Sequence, residues 1–208
     1  MTGLPGAAIL VALGYLVGAL PFGLLVGRLA GGVDLREHGS GRTGATNALR
    51  TIGPLGAVLV SVLDTGKGVA AVLLAGWLYQ AGPGGTQEWV AAAAGIAAIG
   101  GHIRSLFIRF RGGRGVATFA GSMLAIAPLV PAIVVPVFAL IVWRTRYVSL
   151  GSLIGSSLAP LAAAVLAAFG QAPWAAVALG VGGAALVSAA HADNIARLRA
   201  GTERRISP

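Results

Sequence analysis

The sequence predicts an all-α, polytopic integral membrane protein of about seven transmembrane helices, and three observations carry that expectation. First, long uncharged runs separate compact basic patches. No charged side chain precedes Arg28, which is followed by Arg36, Arg42 and Arg50, then Arg104 to Arg114, Arg144 with Arg146, and Arg197 to Arg205. Second, the 208 residues are 56% hydrophobic and only 10% charged, with mean hydropathy +0.85, too little polar surface for a water-soluble domain. Third, threading the runs back and forth across a bilayer brings every basic patch to one face, as positive-inside topology requires. The net charge of +9 is therefore read as topology and attraction to anionic headgroups. Nucleic acid is not an expected partner, because no recognition module accompanies the charge. The absence of cysteine excludes disulfides, thiolate metal sites and a cysteinyl acyl-enzyme.

Each span needs about 20 residues to cross the hydrocarbon. Leu4 to Leu29 is the first, since it has no basic n-region and is too long for a signal peptide. Leu55 to Tyr79 is the second, followed by a Gly/Pro turn at Ala81 to Gly85. Trp89 to Phe107 is the third. The interval Gly115 to Val142 is divided at Pro128 and Pro131 into two short or tilted spans, because a single crossing would put Arg114 and Arg144 on opposite sides. Val148 to Ala190 carries no charge and divides at Gly170 to Pro173. One transmembrane domain, residues 1–208, results, with its N-terminus outside and its C-terminus in the cytoplasm. Gly14 with Gly18 and Gly151 with Gly155 are spaced for close helix approach.

Polar residues within such a chain persist where they line a cavity or an interface. The segment from Asp34 to Arg50 contains Gly39, Gly41 and Gly44, which match a dinucleotide fingerprint in spacing but lack the βαβ context that reading needs. Its glycines can still turn backbone N–H groups onto an anion, and Ser40, Thr46, Asn47 and Arg50 add donors suited to phosphate. Within the second span, Asp64 and Lys67 share a helical face three residues apart. They form either a self-neutralising pair or a buried edge of the active site, with Lys67 open to an anion. In the third segment, Gly112, Gly113 and Gly115 surround Arg114 at a helix start, where the cation and the free N–H groups favour phosphate. His102 alone is a weak signal, since a lone histidine is commonly satisfied by a backbone carbonyl. His191 and Asn194, three apart beyond the last span, can share a helical face.

Gly-Ser-Gly-x-x-Gly-Ala-Thr-Asn at 39–47, Asp-x-x-Lys-Gly at 64–68 and Gly-Gly-Arg-Gly-Val-Ala-Thr at 112–118 resemble the three signature motifs of the bacterial acyl-phosphate:glycerol-3-phosphate acyltransferases, the PlsY family. The resemblance continues through Tyr147 to Ser152 and ends in His191 to Leu198 with Gly201, Thr202 and Glu203, so it covers nearly the whole chain in order. It implies transfer of a fatty acyl group from acyl phosphate to the 1-hydroxyl of glycerol 3-phosphate, giving lysophosphatidate and phosphate. The implied setting is the bacterial plasma (inner) membrane, multi-pass, with the active site facing the cytoplasm and the bilayer holding the acyl chain. Transient docking of the soluble enzyme that makes acyl phosphate is implied as well.

Residue by residue, His191 and Asn194 become the catalytic candidates, orienting the acceptor, with His191 as proton acceptor. Ser40, Thr46, Asn47, Arg50, Lys67, Arg111, Arg114, Thr118, Ser149 and Ser152 become the substrate and phosphate candidates, with His102 and Asp64 as further possibilities. In isolation Ser149 and Ser152 would be read as helix-cap or packing residues. The chain departs from the family at Arg42, where Asn is usual, at Arg111 and Arg114, where Lys is usual, and at Arg104-Ser105, where Phe-Pro is usual. Arginine keeps the charge of lysine but replaces a point donor with a planar fork.

Other enzyme classes lack their residues. No histidine is followed by the His-x-x-x-x-Asp pattern, no Gly-x-Ser-x-Gly elbow exists, and the acids are too few and scattered to hold metal, so neither metal nor cofactor is expected. A small transporter would need polar groups near the midplane of a repeat. Here they gather at one edge, apart from Asp64 and Lys67.

Overall fold

The computed structural model describes residues 1–80 and 86–206, so the expected turn at Ala81 to Gly85 lies outside the described residues. Among them the chain is helical, with no strand: α1 Gly3–Ala19, α2 Phe22–Gly31, α3 Ala45–Leu78, α4 Thr86–Ile103, α5 Val116–Ile126, α6 Leu129–Thr145, α7 Val148–Ala168, α8 Trp174–Ala190 and α9 Ala192–Arg199. Two single 3-10 turns, Leu35–Glu37 and Leu106–Ile108, lie in the loops. Four stretches are long and apolar enough to cross a membrane by themselves: Gly3–Gly31, Ala45–Leu78, Thr86–Ile108 and Val148–Ala168. Helices α8 and α9 meet that standard only together, bent by 63° at His191, and α5 and α6 are shorter apolar helices. Large apolar side chains point outward all round, with Leu4 87% and Leu161 65% exposed, the arrangement a lipid solvent permits.

Proline and glycine set breaks that charge patterning does not mark. Pro21, which has no N–H to continue the ladder, separates α1 from α2 inside the first uncharged run. The carbonyls this frees are taken up by neighbours: Lys67 Nζ donates to Leu20 O at 3.1 Å, and the Ser105 hydroxyl donates to Ala19 O. Helix α3 changes direction at Gly53 (φ 80°, ψ −175°), a conformation reserved for glycine, just before Pro54. Its first turns, Ala45 to Ile52, thus belong to the polar loop, and the apolar crossing begins near Leu55. The division at Pro128 is present as well, between α5 and α6.

Helix α1 lies along α4, α3 along α5, α6 along α7, and α7 along α8. Gly14 and Gly18 press against the backbone of Ala94 and Ala98 so closely that any Cβ would collide, and Gly151 and Gly155 receive Phe138 and Val134. The core between α4, α5, α7 and α8 holds Ile99, Phe119, Met123, Leu179 and Val187. The N-terminal ammonium donates to Leu78 O at 2.8 Å, so the start of α1 sits beside the end of α3. Trp77, Trp89 and Trp174 mark that same end of the bundle, at the end of α3 and the starts of α4 and α8. The basic loops and the N-termini of α3, α5, α7 and α9 occupy the opposite end.

Candidate active site

A cavity of about 780 Å³ opens at the basic end. Four helices begin there, α3, α5, α7 and α9, and the positive end of each dipole favours an anion. Its polar part holds Ser40, Thr46, Arg50, Arg114, His191 and Asn194. Its apolar part runs between α5, α6 and α7, past Met123, Val134, Val135, Phe138 and Gly155. One cavity therefore joins an arginine-lined mouth to a hydrocarbon-lined channel.

The glycine loop is shaped from within by Asn47, which is 2% exposed. Its Nδ2 donates to the carbonyls of Leu35, His38 and Arg42 at 2.8, 3.0 and 2.8 Å, and its Oδ1 accepts from Ser40 N–H at 2.9 Å. Gly39 and Gly41 take φ values of +57° and +68° to close this turn, and a Cβ on Gly39 would strike Asn47 Oδ1. The start of the loop is fixed by Arg36, whose hydrogen bonds to Asp34 hold that carboxyl at about 2. Asn47 lines the cavity, but its amide is committed to the backbone, so its role is to set the loop that carries Ser40. Asn47→Ala would leave buried carbonyls without donors, about 2 kcal/mol or more. Lower thermal stability together with weaker phosphate binding is the expected result.

Arg114 is presented by a second glycine turn. Gly112 and Gly113 donate to Ile103 O and His102 O at 3.2 Å each, and side chains there would run into His102. Gly115 (φ +83°) then opens α5. The guanidinium of Arg114 reaches Asp193 Oδ2 at 2.8 Å, while its buried Nε has no partner among the described residues. Burial lowers the Arg114 pKa against the pull of Asp193, and repulsion from Arg42 and Arg197 adds to the lowering.

Glu203 ties the far wall together. Its Oε1 accepts from Ser149 Oγ at 2.9 Å and Asn194 Nδ2 at 2.6 Å, and its Oε2 pairs with Arg197 Nε at 2.8 Å. Asn194 Oδ1 remains buried without a partner among the described residues. His191, 2% exposed, has Nδ1 placed 2.8 Å from Val187 O. A carbonyl only accepts, so Nδ1 carries the proton, and Nε2 of the neutral ring holds a lone pair. Ser152, whose hydroxyl donates back to Val148 O at 2.9 Å, also lines the cavity.

Three expected residues are not brought to the cavity. The ammonium of Lys67 lies 2.8 Å from Asp64 Oδ1 and donates to the Leu20 carbonyl at the α1–α2 break, so its donors serve the fold. Asp64 reaches the cavity floor with His102, whose Nδ1 is 3.5 Å from the same carboxylate oxygen. Thr118 is fully buried where α5 crosses α3, its backbone carbonyl packed onto Gly68. Arg111 lies exposed in the loop before α5. Conversely, Arg42, Asp193, Arg197, Glu203 and Arg204 line the cavity without having been singled out for that role. Asp193, Arg197 and Glu203 carried one readable signal, a high density of charge just beyond the last apolar run. Among the described residues no three His, Cys, Asp or Glu side chains cluster as a metal site would need.

Residues 8–201 match the family described as glycerol-3-phosphate acyltransferase. A glycerol-3-phosphate acyltransferase of Synechococcus sp. (strain JA-3-3Ab) is 45% identical over 201 residues, covering 96% of this chain and 94% of the relative. One from Halalkalibacterium halodurans is 44% identical over 200 residues, covering 95% and 94%. The crystal structure of PlsY (YgiH), an integral membrane glycerol 3-phosphate acyltransferase in its glycerol 3-phosphate form, superposes with a TM-score of 0.84 at 36% identity, over 97% of this chain and 96% of that one. The lysophosphatidic acid form of that protein gives 0.83, over 97% and 95%. With its motifs in order, its membrane helices and these matches over nearly its full length, this chain belongs to the glycerol-3-phosphate acyltransferase family.

Proposed function

We propose that this membrane acyltransferase uses acyl phosphate as donor and the 1-hydroxyl of glycerol 3-phosphate as acceptor, releasing lysophosphatidate and inorganic phosphate. The observation that carries the reading is the continuity of the arginine-lined mouth with the apolar channel between α5, α6 and α7. It suits a donor with a phosphate head and a long acyl tail, beside an acceptor that also carries phosphate. The acceptor oxygen attacks the acyl carbonyl carbon, and the bond from that carbon to the phosphate oxygen breaks. Phosphate leaves with the electron pair. The hydroxyl proton passes to His191 Nε2, and Asn194 Oδ1 orients the hydroxyl. Acyl phosphate is already an activated anhydride, so positioning and neutralisation of charge supply most of the acceleration, without a covalent enzyme intermediate.

The same reading puts the basic end in the cytoplasm of a bacterial cell and the N-terminus outside, across the plasma (inner) membrane. Seven crossings are made by α1 with α2, then α3, α4, α5, α6, α7 and α8, the short α5 and α6 meeting at Pro128. The chain acts as a single transmembrane domain, and its basic face is where a soluble enzyme making acyl phosphate would deliver the donor.

Purified protein given glycerol 3-phosphate with palmitoyl phosphate, palmitoyl-CoA or palmitoyl-acyl carrier protein tests the donor. Lysophosphatidate and phosphate should form with palmitoyl phosphate alone. Arg114→Ala should lower kcat/KM by about 10- to 100-fold, the loss of one charge-assisted contact to phosphate. Turnover with a thioester donor and none with palmitoyl phosphate would remove the donor assignment.

A further inference from the structure

We infer that Arg42 is a further substrate-binding residue, gripping a phosphate group from the glycine-turn wall of the cavity. Five arginines line the cavity. Arg114 and Arg197 both engage Asp193, at 2.8 and 3.2 Å, and Arg197 also engages Glu203. Arg42, Arg50 and Arg204 have no carboxylate within 4 Å among the described residues. Arg50 and Arg204 are exposed to solvent. Arg42 is half-buried.

Its position is also fixed. The Arg42 carbonyl accepts from Asn47 Nδ2 at 2.8 Å, which holds its backbone in the glycine turn beside Ser40. Arg114 lines the same cavity, near enough for the Arg42 charge to add to the lowering of its pKa. Asp193, an acid that feels both cations, is already paired with Arg114 and Arg197. A half-buried guanidinium that shares a cavity with another, and has no ion-pair partner of its own among the described residues, is unfavourable without an anion and favourable once one binds both. A tetrahedral phosphate carries more charge than a carboxylate and offers several oxygens to two planar forks, as an uncharged thioester does not.

Glycerol 3-phosphate, acyl phosphate and released phosphate all present this chemistry. The inference rests on the proposed function for which of them is held, and not for the anion site itself. The test therefore begins with inorganic phosphate alone, by calorimetry on the detergent-purified protein. Arg42→Gln should weaken binding about tenfold or more, as expected for one lost charge-assisted pair, and Arg42→Lys should restore part of it. Arg104→Gln, an exposed cation outside the cavity, should leave binding unchanged and thus control for bulk charge. Steady-state kinetics then identify the source, since KM should rise in Arg42→Gln for the substrate whose phosphate is held, with kcat less affected. Phosphate binding unchanged in Arg42→Gln, or weakened equally in Arg104→Gln, would overturn the inference. Arg42-dependent phosphate binding in a protein that fails to use palmitoyl phosphate would uphold it while the donor assignment fell.

Discussion

Glu203→Ala is expected to abolish turnover and to lower the melting temperature of the purified protein, although Glu203 lies beyond the last helix. The Glu203 side chain is 6% exposed and joins two helices through three residues: Ser149 at the start of α7, and Asn194 with Arg197 one turn later in α9. Truncation strands a hydroxyl and an amide at once, and leaves the Arg197 guanidinium to Asp193 alone. Leaving a buried hydrogen-bonding group unpaired costs about 1–3 kcal/mol, and here two residues of the cavity wall, Ser149 and Asn194, lose their orientation as well. Glu203→Gln keeps an acceptor but not the charge, so it should fall between wild type and Glu203→Ala. Acid should reproduce the loss. Burial alone would raise the Glu203 pKa, but the hydrogen bonds from Asn194, Ser149 and Arg197 outweigh it and hold the carboxyl below its ordinary 4.5. A depressed folded-state value means that the stabilisation is fully present above about pH 4.5 and fades as pH falls through the depressed value. Scanning calorimetry of both variants against pH measures it; a Glu203→Ala protein with wild-type melting and turnover would show the network to be incidental.

Local signals in the sequence were enough to place the apolar helices, because hydrocarbon demands long uncharged runs whatever the tertiary arrangement. Breaks inside a run left no charge signal, which is why Leu4 to Leu29 reads as one span and the structure divides it at Pro21. The residues at the cavity mouth were legible for a related reason: Ser40, Arg50, Arg114, His191 and Asn194 are polar or charged groups beside glycines or helix starts, where anion chemistry is concentrated. Lys67 shows the limit of spacing. Three residues from Asp64 it had to share a helical face, but only the packing of α1 and α2 decides whether that face meets the cavity or the Leu20 carbonyl. Glu203 shows another limit, since its partner Ser149 lies 54 residues away and nothing local announces the contact. Arg42 was visible as a departure from the family pattern, yet its lack of a counterion is a property of the assembled cavity.

His191→Ala is expected to reduce kcat by about 10²- to 10⁴-fold, the range for loss of a positioned general base, with little change in KM for glycerol 3-phosphate. The reason is geometric. Val187 O holds Nδ1–H, so the ring cannot turn away without giving up its one hydrogen bond, and Nε2 is left as the acceptor at the bend between α8 and α9. A residue that only shaped this bend would alter stability and KM when removed. A base would instead remove the acid limb of the kcat profile, because imidazole accepts the hydroxyl proton only while neutral and wild-type turnover must fall as the ring protonates. The decisive measurement is therefore kcat against pH for wild type and His191→Ala at matched thermal stability. A flattened, strongly reduced profile supports proton transfer to His191. Turnover within about twofold of wild type would take the proton away from His191 and leave the arginines and Asn194 to provide the catalysis by position and charge.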